Sequence, residues 1–151
     1  MPLTSQIMTK EAYTVNVETT VLDAVNEMNK NGRTELIVVK DSNPVGILTE
    51  MSLFRRFIPQ NLPPDKVKVV EVMYTPLLTI SPDVDAAEAA RFIFKKKVTR
   101  LAVVDRGKLV GLLTLTDLAK YMSQRTFWGG HVRDDLLDLV RHLWGSRLEE
   151  I

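Results

Sequence analysis

Two stretches of the chain carry the same order of hydrophobic and polar positions. Val21, Ala24, Val25 and Met28 recur at the spacing of one helix face, after Thr19 and Thr20, whose hydroxyls suit an N-cap. Ala86, Ala89, Ala90 and Ile93 repeat that spacing after Ser81, Asp83 and Asp85. Behind each helix stand two aliphatic runs joined by polar residues. The first pair is 35–40 and 45–49 around Asp41-Ser42-Asn43-Pro44; the second is 100–105 and 109–114 around Arg106-Gly107-Lys108. Such pairs predict tight hairpins. A short extended piece is predicted at 13–17, and a second helix at 52–58 and again at 117–124. Each unit reads strand, helix, strand, strand, helix.

The likeness extends to identities. A shift of 65 residues lays 7–53 on 72–118 without a gap, matching Met8/Met73, Thr14/Thr79, Thr34/Thr99, Leu36/Leu101, Val38/Val103, Gly46/Gly111 and Thr49/Thr114 among others. A period this long predicts two packed units rather than a solenoid. Duplicated units packed about a pseudo-twofold axis leave two related clefts, where ligands usually bind. A Pro-containing linker at 59–65 separates the copies, which sets expected boundaries at 1–62, 66–125 and a tail at 126–151. In that tail Leu136, Leu137, Val140, Leu143, Trp144 and Leu148 mark the apolar face of an amphipathic helix.

Composition narrows the chemistry. At 151 residues and 45% hydrophobic the chain buries an ordinary core, and a net charge of +1 gives no field toward nucleic acid or an anionic membrane. With no cysteine there is no disulfide, thiolate metal site or cysteine nucleophile. No run is apolar enough to span a bilayer and no secretory pattern opens the chain, so the expectation is a soluble cytoplasmic protein. Neither a Rossmann nor a P-loop glycine pattern occurs. His131 and His142, on one helix, would stand roughly 16 Å apart, too far to share a metal. No nucleophile has a base beside it, so no catalytic residue is assigned and the reading is not an enzyme. Lys95-Lys96-Lys97 ends a predicted helix and reads as a solvated, dipole-favoured run.

The second unit ends in Gly111-Leu112-Leu113-Thr114-Leu115-Thr116-Asp117-Leu118. This resembles the signature of cystathionine-β-synthase (CBS) domains, and two copies in register resemble the Bateman module, as in the nucleotide-sensing γ subunits of AMP-activated protein kinase. The resemblance covers about residues 6–122. It implies an α+β fold of two β-α-β-β-α repeats, here with a C-terminal amphipathic helix added. It also implies a regulatory role in which AMP, ADP, ATP or another adenosyl ligand is sensed.

The residues themselves support such chemistry. Thr114, Thr116 and Asp117 put hydroxyls and free N–H groups at a helix N-terminus, a seat for phosphate. The Asp117 carboxylate can accept both hydroxyls of a ribose, or it can serve only as a helix cap. Copy one carries Ser52 where copy two has Asp117, and Met51 in place of Thr116. One good cleft and one degenerate cleft are therefore expected.

By resemblance the good cleft joins Thr114, Thr116 and Asp117 to Thr9, Tyr13, Thr14, Val15, Arg33, Thr34, Glu35 and Leu36, with adenine among Tyr13, Val15 and Leu36. The degenerate cleft would hold Thr49, Ser52, Leu78, Thr79, Ile80, Thr99 and Arg100. Arg33 and Arg100 are phosphate candidates, each equally readable as an exposed strand-end residue. AMP comes first, because one diol carboxylate and one or two arginines suit a monophosphate. The resemblance further implies a homodimer, with Leu53, Phe54, Phe57, Phe92 and Leu118 as interface candidates, and a regulated protein that the sequence does not identify. A ligand-free dimerisation scaffold, a sensor of S-adenosylmethionine and a cryptic enzyme are the rival readings.

Overall fold

The computed structural model describes residues 2–123, so the amphipathic tail with Trp128, His131, His142 and Trp144 lies outside the described residues. A short helix α1 (Thr4–Ile7) leads into β1 (Thr14–Asn16), α2 (Val21–Asn31), β2 (Glu35–Lys40) and β3 (Asn43–Thr49). Then α3 (Glu50–Ser52) runs on as a π turn (Leu53–Phe57) and a 3-10 turn (Ile58–Gln60). The second half has a 3-10 turn (Val69–Glu71), β4 (Thr79–Ile80), α4 (Ala86–Lys96), β5 (Arg100–Asp105), β6 (Lys108–Thr114) and α5 (Leu115–Ser123). Fold class and element order agree with the sequence pattern.

The local causes are those the sequence offered. Thr20 caps α2 by accepting from the Asp23 N–H at 3.2 Å, and Asp85 caps α4 by accepting from the Glu88 N–H at 2.9 Å. Gly32 ends α2 in the left-handed region (φ 60°); Lys97, 65 residues on, ends α4 the same way (φ 55°). Lys95, Lys96 and Lys97 are exposed, as a helix C-terminus favours.

Both second helices start two residues earlier than the pattern, at Glu50 and Leu115, and the hairpin strands also differ. The hairpins close on two residues, Asp41-Ser42 and Arg106-Gly107, all at positive φ, so β3 starts at Asn43 and β6 at Lys108. Pro44 is tolerated inside β3 because it stands at a register irregularity opposite Val39. The second helix of the first repeat is irregular where α5 is regular; it tightens to a 3-10 turn at Pro59, which lacks an N–H, and ends at Asn61 in the left-handed region (φ 53°).

Each half holds a three-stranded sheet, β1-β2-β3 or β4-β5-β6, with a parallel first pair and an antiparallel second. Period-two alternation sends Leu36 and Val38 into the first core and Leu101 and Val103 into the second. Ile37 and Ala102, on the opposite faces, meet Leu112 in a third cluster between the sheets.

The halves exchange their leading segments. Residues 3–9 complete the second sheet: Thr9 pairs with Leu112 through two 2.9 Å hydrogen bonds, and Ile7 and Met8 pack on the second core. Residues 67–74 do the same for the first, where Tyr74 pairs with Ile47 and Val67, Val69, Val72 and Met73 are core members. Each core is thus finished by a segment covalently attached to the other sheet's side of the molecule.

Candidate functional site

The exchange places Thr9 against the end of β6. There Thr114 is the cap residue: its Oγ1 accepts from the Asp117 N–H at 3.1 Å, and the Asp117 carboxylate accepts from the Thr114 N–H at 2.9 Å. The other oxygen of Asp117 accepts from the Thr9 hydroxyl at 3.1 Å. Asp117 therefore holds the helix start reciprocally with Thr114 and also ties the two halves together. It is half-buried, with its oxygens facing donors from both sides.

Next to the Thr9–Leu112 ladder lies a shallow cleft, open to solvent, lined by Glu11, Ala12, Tyr13, Arg33, Glu35, Ile37 and Leu112. The Arg33 guanidinium stacks over the Tyr13 ring at 4.5 Å and reaches Glu11 at 3.9 Å. At the inner edge Glu35 pairs with Arg100 at 3.4 Å and accepts from the Thr34 hydroxyl at 2.5 Å, while Arg100 also reaches Thr34 at 3.5 Å. Glu35 and Arg100 are equivalent positions of the two repeats, so their pairing lies across the pseudo-twofold relation between them.

The structure thus gathers Thr9, Thr114 and Asp117 into one constellation, and Tyr13, Arg33, Thr34, Glu35 and Arg100 into an adjoining one. Thr14 and Thr116 are exposed. Val15 and Leu36 depart from the expected cleft wall: both are members of the first core, because each lies one residue out of phase with the cleft face. Ile37, Ala12 and Leu112 form the apolar wall instead. The strand period could have identified Ile37 and Leu112, whereas no sequence signal marks Glu11. Arg100, placed by the sequence reading in the degenerate cleft, contacts residues of the good one.

At the equivalent position of the first repeat, Ser52 and Thr49 satisfy each other. Ser52 is fully buried; it donates to Thr49 O at 2.8 Å and accepts from Thr49 N at 2.8 Å, while its own N–H reaches Thr49 Oγ1 at 3.0 Å. Tyr74 stands where the other side has Thr9. Arg56 covers it, with the guanidinium 4.8 Å from the ring and Nη1 donating to Met73 O at 2.8 Å. Leu78 and Ile80 pack on the second core, Thr79 is exposed, and Thr99 meets Arg100 at 3.4 Å. Ser52→Ala should cost about 1–3 kcal/mol, because it leaves the buried Thr49 N–H without its acceptor. Thermal unfolding checks this, with ligand titration of the same variant expected to be unchanged.

Among the described residues no cluster of histidine, aspartate and glutamate is arranged to hold a metal, and no helix is long and apolar enough to cross a membrane.

Comparison with known proteins fits this geometry. A family model of the CBS domain matches residues 5–58 and 69–124. The uncharacterised protein MK0525 of Methanopyrus kandleri is 28% identical over 115 residues, covering 75% of this chain and 59% of that protein. The chain spans 31% to 63% of the length of three such archaeal relatives. Among solved structures, the conserved CBS-domain protein TA0289 of Thermoplasma acidophilum is 38% identical, with a TM-score of 0.75 over 92% of this chain and 76% of that one. The protein CBSX2, solved in complex with AMP, is 25% identical, with a TM-score of 0.69 over 82% of this chain and 98% of that one. A duplicated unit, exchanged leading segments and two matches to one family model together place this chain in the CBS-domain family, as a tandem pair.

Proposed function

We propose that the chain is a regulatory module that binds an adenosyl ligand, AMP first among the nucleotides, in the cleft between Tyr13 and Asp117. The carrying observation is the Thr9–Asp117–Thr114 constellation, which draws on both repeats, together with a cleft that offers Tyr13, Ala12, Ile37 and Leu112 as an apolar wall and Arg33 as a cation. Asp117 exchanges the Thr9 hydroxyl for a ribose diol. The base lies against Tyr13, Ala12, Ile37 and Leu112, and phosphate draws on Arg33 or Arg100. The AMP complex of CBSX2 supports the choice of ligand class.

The module regulates rather than catalyses. A ligand touching both halves favours the arrangement that closes the cleft best, and its differential affinity for that arrangement is the signal. Asp117 supplies the ribose contact on one side, whereas the buried Ser52 offers none on the other, so one ligand binds per chain. A homodimer in the cytoplasm is the proposed form. Met51, Phe54 and Ile58, exposed at 46%, 68% and 60%, supply an apolar strip for it. Of the interface candidates Leu118 belongs to the second core, and Leu53, Phe57 and Phe92 pack against the cores, leaving Phe54 outermost.

Calorimetric titration with AMP, ADP, ATP and S-adenosylmethionine tests the proposal. Asp117→Ala is expected to weaken binding about tenfold or more, the worth of one charge-assisted hydrogen bond. Binding unchanged by the substitution would reduce Asp117 to a helix-start residue. Absence of any binding would leave a dimerisation scaffold as the better account.

A further inference from the structure

The ionised groups around the cleft are not arranged to welcome a large negative charge. Both arginines already have carboxylate partners. Arg33 lies between Tyr13 and Glu11, and Arg100 is held by Glu35 and Thr34. The side chain of Glu35 is only 13% exposed and lines the cleft, so its charge is weakly screened there. That of Glu11 is 81% exposed and screened well. Asp117 adds a third carboxylate on the ribose side.

An entering phosphate must therefore compete with Glu35 for Arg100, and each further phosphoryl group brings more negative charge toward the same carboxylates. The opposite charges at positions 35 and 100 make this pairing possible; identical residues in the two repeats would repel.

We infer that Glu35 is a charge filter, a specificity-determining residue that ranks adenosyl ligands by the charge of their tails. A monophosphate is preferred to a triphosphate, and a cationic tail is tolerated. The filter presupposes adenosyl occupancy of the cleft. Glu35→Gln removes the charge while keeping a side chain of the same shape that can still hydrogen-bond Thr34. Its cost to the fold is that of one partly exposed ion pair.

The test is calorimetric titration of the wild-type protein and Glu35→Gln with AMP, ATP and S-adenosylmethionine at one ionic strength. The preference for AMP over ATP should fall about tenfold in the variant, the effect of one charge at close range in a partly screened site. S-adenosylmethionine, whose sulfonium is cationic, should bind more weakly. Glu11→Gln, which alters an exposed side chain and leaves the fold untouched, should move the AMP-to-ATP ratio the same way by a smaller factor. A ratio unchanged in Glu35→Gln, a parallel shift of all ligands, or a wild-type preference for ATP would each overturn the filter while leaving the adenosyl reading standing. Failure of every adenosyl ligand to bind the wild-type protein would overturn both.

Discussion

Removing residues 1–9 should unfold the second sheet while the first persists. Those residues belong by sequence to the first repeat but finish the core of the second. Thr4 is fully buried; its N–H and its hydroxyl each donate to Val84 O at 2.7 Å. Ala86 N–H donates to Pro2 O at 2.8 Å, and Thr9 forms the ladder with Leu112. Ile7 and Met8 pack on the second core. Ile7 and Met8 are partly buried, so each contributes less than the about 1.5–3 kcal/mol of a fully buried side chain of that size, and each hydrogen bond adds a net ~0.5–1.5 kcal/mol. The loss is of order 5 kcal/mol or more, comparable with the roughly 5–15 kcal/mol that holds a small protein folded. Residues 67–74 remain to complete the first sheet. Hydrogen exchange is the measurement: amides of β5 and β6 should lose protection while those of β2 and β3 keep it. Equal protection in both sheets of the shortened chain would overturn this account of the exchange.

Gly111→Ala should lower stability by about 2–3 kcal/mol, a drop in melting temperature of roughly 6–12 °C. A Cβ at Gly111 would stand 2.6 Å from the Met8 sulfur and 2.8 Å from Thr9 O. The methionine end can swing away. The carbonyl cannot, because it accepts the Leu112 N–H at 2.9 Å and its displacement breaks the ladder. Pushing Thr9 outward also separates its hydroxyl from Asp117, so ligand affinity should fall with stability. Gly46→Ala should behave alike toward Met73 and Tyr74, at 2.5 and 2.8 Å, but should leave the Asp117 cleft intact. Thermal melts of both variants, with AMP titration of each, check the pair. A Gly111→Ala protein melting within two or three degrees of wild type, by the same conversion, would mean that the ladder gives way at little cost.

The glycines show what a repeat can and cannot reveal. Gly46/Gly111 and Met8/Met73 stood out in the sequence as identities, but each glycine faces the methionine of the opposite repeat, a pairing visible only after folding. The hairpins, helix faces and caps were legible because they depend on neighbours a few residues away: Thr20 with Asp23, Asp85 with Glu88, Leu36 with Val38. The turn lengths were less so, since whether Asn43 and Pro44 join the strand depends on the register across the sheet. Of the cleft lining, Tyr13, Arg33 and Glu35 are legible in the sequence, and Thr114 and Asp117 are legible as the start of the following helix. Val15 and Leu36 belong to the first core, and Ile37 and Leu112 line the cleft, because the face a strand residue presents depends on which side of the sheet the other half covers.

By itself, then, the sequence determined the duplication, the order of elements in each copy and the loss of the carboxylate at Ser52. All of these rest on local periodicity or on alignment of the chain with itself. Only the tertiary structure decided that the leading segments cross over, that Thr9 reaches Asp117 and that Glu35 engages Arg100. It also decided that Arg56 stacks on Tyr74 at the equivalent place of the other half. These are contacts between residues tens of positions apart, and they form because each three-stranded sheet exposes an edge and a core that its own repeat leaves unfinished.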